Sequence, residues 1–83
     1  MAVEEMSEAV SVRADFSGGV ITPRAFRWNG RSYRVTAVNA RWEDREGAHA
    51  SYHLSVQAGG DTFFLSFSAG DMLWRLDRVI LPG

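Results

Sequence analysis

Apolar and polar residues alternate along most of this chain, and the phase of the alternation changes only at a few turn-like points. Val10, Val12 and Ala14 interleave with Ser11, Arg13 and Asp15, while Tyr52, Leu54 and Val56 interleave with Ser51, His53, Ser55 and Gln57. A period of two sends successive side chains to opposite faces of a strand, so these runs predict half-buried β-strands. Ser17-Gly18-Gly19, Asn29-Gly30, Gly59-Gly60 and Ser68-Ala69-Gly70-Asp71 punctuate them, and no segment has the period of a convincing helix.

Asn29-Gly30 carries the most information. Both central positions of a type I′ turn need positive φ, which Asn tolerates and Gly adopts freely. A two-residue loop there sets Trp28 opposite Arg31, Phe26 opposite Tyr33 and Arg24 opposite Val35. One face of the hairpin then holds Phe26, Trp28, Tyr33, Val35 and Ala37, and the other holds Ala25, Arg27, Ser32, Arg34 and Thr36. Further along, Val38, Ala40 and Trp42 are out of phase with Tyr33 and Val35, and a bulge near Asn39 would return both sets to one face.

The same reasoning sets the later strands. A two-residue Gly59-Gly60 loop pairs Val56 with Phe63, Leu54 with Leu65 and Tyr52 with Phe67, whereas a three-residue loop would oppose Leu54 to Ser66. Across the next turn, Phe67, Leu65 and Phe63 are expected to neighbour Met72, Trp74 and Leu76, with the last strand running toward Ile80 before Pro82. Pro23 cannot donate to a ladder, which predicts an edge or a bulge at the start of the second strand.

The predicted fold is all-β: one antiparallel meander of about six strands over residues 8–83, preceded by a flexible tail at 1–7. Its single apolar face has no other element to cover it. The sheet is therefore expected to curl into a small barrel or half-barrel of SH3-like or OB-like size, the alternative being face-to-face pairing with a second copy. A domain of this length buries only about 60–65% of its unfolded surface, so self-association is an open route to further burial.

Net charge is −1, but the charges are segregated. Residues 1–15 carry Glu4, Glu5, Glu8 and Asp15 against Arg13; residues 16–42 carry arginines and no acid; residues 43–83 are again acidic on balance. Every basic residue is arginine. Arg27 and Arg34 should lie diagonally adjacent on the polar face of the hairpin, with Arg31, Arg41 and Arg13 extending the patch. Guanidinium groups bind phosphate bidentately and aromatic rings stack on bases, so Arg27, Arg31, Arg34 and Arg41 with Trp28 and Trp42 are the candidate binding residues for single-stranded nucleic acid or a protein partner. The competing expectation, favoured by a net charge near zero, is that the acidic first and third segments neutralise these arginines within the fold. Core burial is the competing expectation for Trp42, and Trp74 falls in the middle of the apolar face.

Other chemistry has little support. With no cysteine there is neither a disulfide nor a thiolate metal site, and His49 and His53 lie about 13 Å apart if they share a strand. No serine sits in a strand-turn-helix elbow, and no glycine-rich turn leads into a helix as a phosphate loop must. The expectation is a non-enzymatic module with no cofactor. No targeting or membrane-spanning segment stands out, which predicts a soluble cytoplasmic protein.

Pro23-x-x-Phe26-x-Trp28-x-Gly30-Arg31-x-Tyr33-x-Val35, followed by Trp42 and Trp74-x-Leu76, resembles a small bacterial family of domains of unknown function, with the likeness running over residues 8–80. Members resemble a domain found alone or near translesion DNA-polymerase components. By association the resemblance implies a link to DNA repair, and it brings no catalytic residues. Another tryptophan would fit the pattern where this chain has Tyr52-His53-Leu54.

Overall fold

The computed structural model describes residues 2–82, apart from the side chain of Glu46. Six antiparallel strands follow one another: β1 (Ala2–Ser17), β2 (Val20–Trp28), β3 (Arg31–Glu46), β4 (His49–Ala58), β5 (Asp61–Ser68) and β6 (Leu73–Leu81). Each pairs with the next, and β6 returns to pair with β1, so the meander closes on itself as an irregular ring. Among the described residues no helix is long and apolar enough to cross a membrane.

The glycine turns set the registers as their chemistry predicts. Asn29 and Gly30 have φ of 56° and 76°, Trp28 pairs with Arg31, and Phe26 pairs with Tyr33. That ladder ends at Ala25↔Arg34, so Arg24 and Val35 are not partners. Gly59-Gly60 makes the second two-residue turn and sets Val56 against Phe63, Leu54 against Leu65 and Tyr52 against Phe67. The inner face is consequently apolar. Phe26, Leu54, Val56, Phe63, Leu65, Trp74, Leu76 and Val79 are buried there, and Phe26 and Phe63 meet edge to face at 4.9 Å.

Two strands serve both halves of the ring. The first half of β1 pairs with β6 and its second half with β2, while β3 leaves β2 after Arg34 and runs along β4. Strands that change partners in this way make the corners of a small barrel, and bulges supply the bend. Arg24 is the extra residue of β2 beside Pro23, as a proline that cannot donate requires. Thr36 and Asn39 are both extra in β3, and Asp77 is extra in β6.

These bulges correct several expectations. With one bulge at Asn39, Ala37, Ala40 and Trp42 would face inward; with two, Val35 and Val38 stay inside while Ala37, Ala40 and Trp42 face out, opposite Gln57, Ser55 and His53. Trp42 is 43% exposed and is not core. Met72 is not core either. A four-residue turn places it at φ 59°, 70% exposed, and Ser68 pairs with Leu73. The segment expected as a flexible tail is instead strand from Ala2 onward: Ala2–Glu5 pair with Arg78–Leu81, and Met6 packs against the core. A short segment without a helical partner gains its hydrogen bonds from the last strand, which the local pattern does not reveal; residue 1 lies outside the described residues.

Candidate functional site

The outer face of β1, β2 and β3 gathers the basic residues of the hairpin. Register places Ser11, Arg27 and Ser32 in one row, and Arg13, Ala25 and Arg34 in the next. Three arginines therefore form a staggered set, with Arg13 and Arg34 on either side of Ala25, about 10 Å apart at the backbone. All three are exposed, and none has a carboxylate within ion-pairing distance among the described residues. Elsewhere the pattern is different. Arg24 pairs with Asp15 at 2.8 Å, Arg78 with Glu5 at 2.8 Å, Arg75 with Asp71 at 3.2 Å and Arg45 with Glu43 at 3.9 Å.

The other candidates lie elsewhere. Arg31 is on the inward side of its strand at the hairpin end, its guanidinium 5.8 Å from the centre of the Tyr33 ring. Trp28 beside it is half-buried, packs on Phe63 and Tyr33 at 6.0 and 6.2 Å, and donates its indole N–H to Glu8 at 2.7 Å. Its polar edge is already occupied, so Trp28 plugs one end of the ring rather than offering a stacking face. Arg41 and Trp42 belong to the far half of β3. Arg41 donates from Nε to the Ile21 carbonyl at 3.3 Å and reaches Thr22 Oγ1 with Nη2 at 3.5 Å. Of the six candidates, only Arg27 and Arg34 lie in the rows with Arg13; Arg31 and Trp28 sit together at the hairpin end, and Arg41 and Trp42 line one depression on the far half of β3.

A second outer feature follows from the bulges. Trp42 stacks on His53 at 5.4 Å with the planes 8° apart, and its edge meets Phe64 at 6.3 Å. Arg78 lies over Phe64 at 5.3 Å while pairing with Glu5, and Asp44 holds His53 Nε2 at 3.2 Å. The Arg78 Nε is buried without a hydrogen-bond partner. Once the second bulge is known, the alternation Trp42-x-Asp44 opposite Ser51-x-His53 gives this ladder; without it, the parity points the wrong way. Among the described residues no three His, Asp or Glu side chains converge as a metal site would need.

A search of curated proteins finds no match, and a search of solved structures finds none. Residues 1–77 match the model of a family described as a domain of unknown function, DUF6504, and the chain belongs to that family.

Proposed function

We propose that this domain is a non-catalytic binding module that holds single-stranded DNA on the outer face of β1, β2 and β3 through Arg13, Arg27 and Arg34. The observation that carries the reading is the contrast among arginines. Those at positions 24, 45, 75 and 78 each have an acidic partner, and these three have none among the described residues. Like charges crowded on one ribbon repel one another, and an incoming polyanion removes that repulsion. The two rows that hold these arginines are completed by Ser11, Ser32 and Ala25, with no aromatic side chain among them, so binding is led by phosphate and tolerant of sequence. The association with translesion polymerase components carried by the motif resemblance favours DNA over other polyanions.

Fluorescence anisotropy of a labelled oligothymidylate across a salt series tests it. Three phosphate contacts give a log–log slope of about −2, and the Arg27→Ala, Arg34→Ala double variant brings it to about −0.7. Unchanged anisotropy at low salt would reject the proposal.

A second reading, self-association, is favoured by a different observation. Phe16 and Val20 are 59% and 47% exposed and share a depression with Phe67 and Ala69 at the end of the ring opposite Trp28. Sedimentation velocity over a dilution series decides that reading, and a monomer at every concentration ends it.

A further inference from the structure

β2 and β3 are partners only between Ala25–Trp28 and Arg31–Arg34. Beyond that corner they diverge, because β2 follows β1 back to Val20 while β3 follows β4 out to Glu46. Each strand keeps one edge that has no ladder partner among the described residues. Alternation decides which groups stand on those edges. On β3 the closing pair Glu46↔His49, and every second residue before it, turn N–H and C=O toward β4; Arg41, Glu43 and Arg45 therefore turn theirs toward the gap. On β2 the closing pair Ser17↔Val20 turns toward β1, which leaves Ile21 facing the gap.

Arg41 confirms this geometry. Its Nε donates to the Ile21 carbonyl at 3.3 Å across the opening. A paired strand would lie about 4.8 Å away and satisfy that carbonyl with its own N–H. A guanidinium at the end of a three-carbon stem takes the position only because the backbones stand farther apart. One side chain does here what a strand does elsewhere in the ring.

We infer that this gap accepts an extended peptide, added as a strand between β2 and β3, and that the peptide carries a carboxylate where it passes Arg41. A single free edge invites strand addition; two facing edges offer hydrogen bonds to both sides of one guest. The lining suits a peptide, since Ile21, Tyr52 and Leu54 contribute to it together with the exposed Val20 and Trp42, and the one carboxylate there, Glu43, already has Arg45 at 3.9 Å. Charge selects among peptides. Arg41 has no carboxylate partner among the described residues, so when a peptide N–H takes over the Ile21 carbonyl, the released guanidinium meets an acidic side chain on the guest. A second copy of the chain fits poorly, because its own β3 carries β4 on the other edge and a paired ribbon is wider than a gap spanned by one arginine. Nucleic acid has no amide ladder to offer these edges.

The probe is a blocked hexapeptide of alternating valine and threonine with one central glutamate, titrated into the isotope-labelled full chain. The backbone amides of Ile21, Glu43 and Arg45 should shift and exchange more slowly with solvent. Replacing the peptide's glutamate by lysine should weaken binding about threefold to tenfold, and N-methylating alternate residues should abolish it. Arg41→Gln should bind the glutamate and lysine peptides equally; the comparison of the two peptides on the unaltered protein tests the charge even if that variant folds poorly. Amides that stay unmoved at millimolar peptide, shifts confined to the Arg27 and Arg34 face, or peptide binding that only follows dimer formation would each overturn the inference. Because the oligothymidylate assay reads Arg27 and Arg34 where β2 and β3 pair, and the peptide assay reads Ile21, Glu43 and Arg45 where they diverge, either proposal can fail alone.

Discussion

The Trp28 indole N–H donates to Glu8 at 2.7 Å, tying the end of the β2–β3 hairpin to β1. Since the ring of Trp28 also rests on Phe63, this bond fixes the lid of the ring to its wall. Glu8→Ala should lower stability by about 1 kcal/mol, with Glu8→Gln keeping an acceptor and losing less. Urea unfolding followed by tryptophan fluorescence measures both.

Leu65 and Met72 separate core from turn. Leu65 is fully buried between Leu54 and Leu76, while Met72 is 70% exposed. Leu65→Ala should cost about 2–5 kcal/mol, and Met72→Ala should stay within about 0.5 kcal/mol of the parent. Equal shifts in denaturation midpoint would contradict the assignment of the four-residue turn.

Gly70 is held by close approach rather than by backbone conformation. A Cβ at that position would stand 2.9 Å from His49 Cγ, which only a change of the His49 χ1 rotamer could withdraw, and 3.3 Å from its Cβ, which the backbone fixes. Gly70→Ala should therefore destabilise by about 1–3 kcal/mol, and adding His49→Ala should recover most of the loss. Thermal melts of the two single variants and the double variant give the coupling.

Asp71 links stability to pH. Desolvation is the largest single influence and acts to raise its pKa, but hydrogen bonds from Arg75, the Leu73 N–H and Ser68, together with the Arg75 charge, outweigh it in sum and hold the carboxyl below its usual range. A depressed folded-state pKa stabilises the fold fully above the unfolded value of about 3.9, and the contribution is lost as pH falls through the folded value. Asp71→Asn should melt below the parent at neutral pH, and the difference should close as pH drops through and below about 4. A difference that persists at lower pH would show that the carboxylate charge is not its source.

The turns made much of this fold legible. Asn29-Gly30 and Gly59-Gly60 specify register through positive φ, so Phe26 opposite Tyr33 and Leu54 opposite Leu65 follow from the residues alone. Beside Pro23 a bulge announces itself, but the two in β3 leave no such mark. Thr36 and Asn39 are ordinary polar residues, and because each reverses the parity, the pair restores it; reading one and missing the other is what put Trp42 inside. The β1–β6 ladder was equally hidden, since a strand edge that finds its partner at the far end of the chain carries no local signal. At the surface, Arg27 and Arg34 were legible because the hairpin fixes their side, whereas the positions of Arg41 and Trp42 depend on both bulges.

Closure of the ring sets an order of events during synthesis. Ala2 pairs with Leu81, so the final ladder cannot form until β6 has left the ribosome. The hairpins, including the second half of β1 on β2, need only near neighbours and can zip early, while the first half of β1 must wait with Met6 and Val10 uncovered. A growing chain that stalls before β6 would present that greasy strand to the cell, and chaperone demand should rise most for truncations that end between Ser68 and Leu73.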